Sequence, residues 1–305
     1  MGTLRMGALT RRRVGLRAAD LEYAVLDTET TGLDPRTGAR IVEIAVVRVR
    51  GDGTLLEEFT TLVDPRADVT GREFHGIGDG DVIGAPTADE VVPEVVRLLS
   101  GAVVVGHNLD FEQRFLTSEL VPFGFPESLP GLCTLRALRA QVDLERYSLP
   151  KASYTLSGVW PTGQHTALGD ARACARLLVE MIANAPGELR YRGAPPLPVA
   201  IPAPRRVPVP AGAPAEGVRW KPRTAAPPGD LLSPRPWADI RWRSLELDPL
   251  LCGGAFGATD RAIAEMAAHR DARTRRRVAA AVAVAGGLAA GGLLAGLRHR
   301  LRVRQ

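Results

Sequence analysis

The chain has 305 residues, 45% of them hydrophobic and 24% charged, with a formal net charge of +5. That composition can fill a packed core and excludes a fibrous or wholly disordered chain. Cys133, Cys174 and Cys252 are far apart and odd in number, which excludes a disulfide framework and a zinc knuckle and points to a reducing, cytoplasmic setting.

Residues 1–19 carry Arg5, Arg11, Arg12, Arg13 and Arg17, no acid and no apolar leader core, and read as a basic disordered arm. Residues 22–28 read as a first strand, 41–49 as a second whose alternation is broken by Glu43 and Arg48, and 55–63 as a third. Gly51-Asp52-Gly53 marks a hairpin turn between the last two. Thr87 and Glu90 have capping-box spacing ahead of a Val/Leu-rich helix that ends near Gly101. Pro93 lies awkwardly inside it and implies a kink or a later start. A fourth strand follows at 102–107, then helices at 110–120, 134–141 and 166–184. In the last of these Leu168, Ala171, Ala175, Leu178 and Ile182 share one face. A three-strand meander followed by alternating helices and strands is an α/β sandwich.

Thirteen of the 24 prolines fall between Pro195 and Pro236, so residues 186–236 read as an extended linker. Within it Arg219-Trp220-Lys221-Pro222-Arg223 is either a patch that stacks a base and holds phosphates or a solvated stretch of linker. Residues 237–305 form a basic C-terminal region, helical or disordered, with a helix expected at 259–277. Residues 278–297 are apolar throughout and long enough to span a bilayer. Eight alanines and five glycines make that segment weakly hydrophobic, and Arg298, Arg300, Arg302 and Arg304 follow it. Peripheral or no membrane contact is therefore the expectation, with a single-pass anchor as the alternative. Charge is divided: residues 20–185 hold 14 Lys/Arg against 25 Asp/Glu, and the rest 25 against 9. An acidic core suits metal binding, and its basic flanks suit a polyanion.

The most informative string is Asp27-Thr28-Glu29-Thr30-Thr31-Gly32, at the end of the first strand. Carboxylates two residues apart on a strand point the same way and repel unless cations lie between them. His107-Asn108-Leu109-Asp110-Phe111 closes the fourth strand, and His165 with Asp170 opens the last helix. With Phe74-His75-Gly76-Ile77 and Cys133-Thr134-Leu135, these motifs stand in the order of the DEDDh 3′–5′ exonucleases. Over residues 20–185 the chain resembles the DnaQ-like proofreading (epsilon) subunits of bacterial DNA polymerase III in that family.

The resemblance implies an exonuclease domain at 20–185 with a ribonuclease-H-like mixed five-stranded sheet flanked by helices. It implies two divalent cations, Mg²⁺ or Mn²⁺, held by Asp27, Glu29, Asp110 and Asp170, with His165 as general base. Asp27 would bridge both ions, Glu29 and Asp170 would hold the water-side ion, and Asp110 would act through water. Thr30, Thr31, Gly32, Leu33, His75 and Asn108 would contact the terminal nucleotide. The implied activity removes nucleoside monophosphates from a 3′ end, of DNA rather than RNA, in proofreading or repair, with a DNA polymerase as a possible partner. The alternatives are an RNA-trimming enzyme, a membrane-tethered nuclease and a non-catalytic binding subunit. Gly169 sits where the family favours a better helix former, and propensity alone charges it ~1 kcal/mol against alanine.

Overall fold

The computed structural model describes residues 2–203, 217–223, 234–237 and 239–249. The expected helix at 259–277 and the apolar segment at 278–297 lie outside the described residues, among which no helix is long and apolar enough to cross a membrane.

Three short strands come first: β1 (Leu4–Met6), β2 (Ala8–Thr10) and β3 (Leu16–Arg17). The meander follows as β4 (Glu22–Thr30), β5 (Ile41–Arg50) and β6 (Leu55–Leu62). Two one-turn helices, α1 (Arg72–His75) and α2 (Asp79–Val82), lead to α3 (Ala88–Leu99) and β7 (Val103–Gly106). Next come α4 (Asp110–Phe115), continued by a wider π turn to Leu120, and β8 (Leu129–Cys133). The fold continues with α5 (Thr134–Gln141), α6 (Leu149–Ser157), α7 (Ala167–Asn184) and β9 (Arg190–Arg192).

The main sheet is mixed and six-stranded, in the order β1-β8-β7-β4-β5-β6. β4, β5 and β6 pair antiparallel, whereas β7, β8 and β1 run parallel to β4. The chain thus returns to the middle of the sheet at β4, and the ends of β4 and β7 open side by side. Helices α3 and α7 both pack on β4 and β5. α3 runs through Pro93 from a complete Thr87/Glu90 capping box, so the later start does not occur. The lost backbone donor is outweighed by burial of Val91, Val92, Val95, Val96, Leu98 and Leu99, each worth about 1.5–3 kcal/mol.

Three expectations need correction. The arm at 1–19 is not disordered: β1 adds a sixth strand beside β8, and β2 and β3 flank β9 in a second sheet. Leu4 and Leu9 are buried, and apolar residues among the arginines supply the contact that charge counting hides. The core therefore does not begin at residue 20 or end at 185, since β9 carries the buried Tyr191 into that second sheet. Nor is all of the proline-rich region bare linker. Trp220 meets Phe59 edge-on at 5.1 Å, and Trp237 stacks on Trp242 at 5.7 Å while donating from Nε1 to Glu180. Further along, Arg243 donates to the Tyr147 hydroxyl and the Arg139 carbonyl, and Glu246 accepts from the Arg11 backbone and Thr10 hydroxyl. The tail thereby clasps the N-terminal arm.

Candidate active site

β4 is buried through Leu26, and its last residues emerge at the parallel–antiparallel junction. Asp27 and Glu29 point the same way there, as the period of two requires. The first turn of α7 brings Asp170 to them, and one carboxylate oxygen from each of the three lies within 4.8 Å of the others. Burial, and then the Asp170, Glu112, Glu29 and Glu43 carboxylates, push Asp27 well above the usual carboxylate range. Burial, with Asp170 and Glu43, raises Glu29 to about 8, while Arg223 opposes the shift. Asp170 is also raised, chiefly by burial.

Glu43 stands directly opposite Glu29 in the β4–β5 ladder and is fully buried. Its Oε2 accepts from the backbone N–H of Ala167, the first residue of α7, at 3.1 Å, and from Arg223 Nη1 at 3.1 Å. A carboxylate on a helix N-terminus is favourable, and here it fixes the helix that carries Asp170. The Thr166 hydroxyl caps the same helix through Gly169 N. His165 takes a left-handed backbone, φ 61°, and its N–H donates to Asp170 Oδ2 at 3.0 Å. Its side chain therefore starts beside Asp170 while the main chain is held. Gly169 is what permits this lead-in: a Cβ there would lie 2.0 Å from the Gly163 carbonyl oxygen.

The third motif residue is placed differently from the sequence reading. Asp110 opens α4 and pairs with Arg136, so the structure does not bring it into the cluster. Glu112, two residues on, is buried with Oε2 lacking any hydrogen-bond partner among the described residues. Burial is the main cause that raises it to about 8, with the Glu29 carboxylate adding to the shift, and its own charge helps raise Asp27. Glu112 is outside the 4.8 Å group as well, yet it is the carboxylate turned inward, because the helix rotates Asp110 outward. Asn108 supplies the turn before α4 with φ 81°. His107 is structural: half-buried, it donates from Nε2 to the Tyr147 carbonyl at 2.7 Å and meets Thr134 Oγ1 at 2.9 Å, and desolvation of its ring lowers it to about 4.

His75 is buried inside its own loop. Ile77 N–H donates to Nδ1 and Nε2–H donates to the Thr70 carbonyl, so a nucleotide contact would cost both bonds. Thr30 Oγ1 donates to the Gly32 carbonyl, Thr31 Oγ1 accepts from Arg40 N–H, and Leu33 is 80% exposed beyond them. Glu43 and Glu112 were not singled out as site residues from sequence, and Arg223 was read only as a member of the basic 219–223 cluster. Glu43 left a trace, as the charge interrupting an apolar strand. Glu112 left none beyond its nearness to Asp110.

The cluster offers oxygen donors only, and among the described residues no cation pairs with Asp27, Glu29 or Asp170. Half-buried, repelling carboxylates of this kind fit a hard divalent ion. The RNase_T family model, described as exonuclease, matches residues 24–178. A DNA polymerase III subunit epsilon of Aquifex aeolicus is 32% identical over 167 residues, covering 53% of this chain and 81% of its own. A PolC-type DNA polymerase III of Thermotoga maritima is 32% identical over 166 residues, 53% of this chain but only 12% of its own length. E. coli Exonuclease I, solved with a dT13 oligonucleotide, is similar at a TM-score of 0.46 and 13% identity, over 53% of this chain and 41% of that one. The matched span contains β4 from Ala24 onward, Glu43, Glu112 and the N-terminus of α7, and the chain belongs to the RNase_T exonuclease family.

Proposed function

We propose that this protein is a metal-dependent 3′–5′ exonuclease that hydrolyses the terminal phosphodiester of DNA and releases nucleoside monophosphates. The observation that carries this reading is the convergence of Asp27, Glu29 and Asp170 within 4.8 Å without a protein cation on them. Two divalent cations bound there, Mg²⁺ or Mn²⁺ given the oxygen donors, would supply an activated water and offset charge on the leaving 3′ oxygen. Asp27, Glu29 and Asp170 would hold them, with Glu112 in place of Asp110 as the fourth carboxylate. His165 takes the proton of the attacking water; its backbone N–H is tied to Asp170, which starts its side chain beside the cluster. The turn of Thr30, Thr31 and Gly32 holds Leu33 out as an apolar wedge for the last base.

DNA is preferred over RNA because the relatives named above are DNA polymerase III components. A proofreading role beside a polymerase follows the same names. A frayed 3′ end costs less to melt than a paired one, so mismatched ends should be cut faster. The test is digestion of 5′-labelled single-stranded DNA, matched duplex, mismatched duplex and RNA of equal length, with Mg²⁺ or with EDTA. The expected order is single-stranded, then mismatched, then matched DNA, with RNA slowest and EDTA abolishing all. Asp27→Ala digesting at the wild-type rate would overturn the site; RNA digested fastest would overturn the substrate.

A further inference from the structure

The proline-rich region sends one segment back to the active site. Residues 219–223 lie against the end of β6, an edge strand of the main sheet. Leu62 N–H donates to the Lys221 carbonyl at 2.9 Å, and Lys221 N–H donates to Thr61 Oγ1 at 3.0 Å. Lys221 Nζ reaches the Ile83 carbonyl at 2.8 Å, and Trp220 packs on Phe59. Trp220 is thus an anchor rather than a base-stacking platform. Ordering each backbone residue costs about 1–2 kcal/mol, which these contacts must offset. What they achieve is to place Arg223. Its Nη1 donates to Glu43 Oε2 at 3.1 Å and lies 3.5 Å from the His165 carbonyl. Its Nη2 borders Gly76, whose φ of +74° keeps the loop's backbone close. Arg223, Lys221 and Pro222 form one wall of a cleft of about 370 Å³, and Leu62, Gly76, Ile77, Gly80 and Asp81 form the other.

We propose that Arg223 is a phosphate contact for the substrate strand, delivered in cis by this strap. The inference rests on the exonuclease reading. A core with 14 basic and 25 acidic residues repels a polyanion, and the strap brings in a cation that lines this cleft and bonds Glu43, the ladder partner of Glu29. The guanidinium fork suits phosphate; Arg223 lines the cleft, and both of its described hydrogen bonds leave from Nη1. A blocking lid would be expected to cover the catalytic carboxylates. Arg223 instead pairs with Glu43 and leaves Asp27, Glu29 and Asp170 without a cation among the described residues.

The experiment uses the full chain and its Arg223→Ala and Arg223→Lys variants, with melting curves to confirm folding. Fluorescence anisotropy with a 5′-labelled single-stranded oligonucleotide in EDTA measures binding across a salt series, and initial rates in Mg²⁺ give kcat and KM. Arg223→Ala should weaken binding about tenfold, lower the slope of log K against log salt by about 1, and raise KM far more than it lowers kcat. Arg223→Lys should keep the slope. Faster digestion by Arg223→Ala at low substrate would overturn the proposal in favour of a blocking strap. Unchanged affinity and slope, or a fall in kcat alone, would reduce Arg223 to a prop for Glu43. The anisotropy comparison decides this even if the wild-type chain cuts nothing, an outcome that would sink the exonuclease reading instead.

Discussion

Asp110 and Glu112 are one helical step apart in role. Asp110 satisfies Arg136 at the surface, and Glu112 carries an unpartnered oxygen into the core. A buried, unpaired acceptor is costly unless something else binds it. Glu112→Gln should therefore lower activity by ~10–100-fold, the usual cost of losing an outer partner of a metal site, whereas Asp110→Asn should stay within a few-fold; steady-state rates in Mg²⁺ check both. The raised carboxylates also set a pH dependence. Glu29 moves from an ordinary 4.5 to about 8, so between those values the folded chain keeps a proton that the unfolded chain has lost. Stability is full below about 4.5 and is lost as pH rises through 8. In EDTA, Tm should fall by at least a few degrees from pH 5 to pH 8, since ~1 kcal/mol moves Tm by about 2–4 °C at this size. Mg²⁺ should restore more of it at pH 8 than at pH 5. A Tm that rises across that window in EDTA would refute the assignment of a protonated apo site.

The element that best shows the limits of local reasoning is the start of α7. On propensity alone Gly169→Ala gains ~1 kcal/mol. In the structure the added Cβ meets a backbone oxygen of Gly163 at 2.0 Å, and backbone cannot rotate aside. The substitution should instead cost about 1–3 kcal/mol by overpacking and reduce kcat, because His165 lies between the two glycines. Urea denaturation and initial rates measure the two effects. Pro93 in α3 is the converse case. The local rule predicts a break, and burial of the valine face on β4 and β5 overrides it.

At the scale of the molecule, described residues on both sides of 20–185 pack onto the core. β1 closes one edge of the sheet, β2 and β3 hold β9, and Arg11 bonds Gln141, Glu246 and the Arg243 carbonyl. A chain cut after Ala185 loses β9, the Trp237–Trp242 pair and the Glu246 clasp, and bares Leu9. It should melt well below a chain ending at 249, and its DNA binding should show a shallower salt slope because the strap is gone. Equal melting temperatures would show that the arm and tail only decorate the core.

The sequence by itself determined the meander, the helices α3 and α7, the family motifs and the carboxylates Asp27, Glu29 and Asp170. Each is written in local terms: a period of two or 3.6, a capping box, two acids at a strand end. It did not determine β8, whose Leu-Pro-Gly-Leu-Cys run has no strand-like alternation and is buried on every residue. Nor did it separate Glu112 from Asp110, since only packing decides which side of α4 faces the cleft. Glu43, Gly169 and Arg223 act through partners 124, 6 and 180 residues away along the chain. Sequence windows read spacing along the chain, whereas these roles arise from contacts through space that exist only once the sheet has formed.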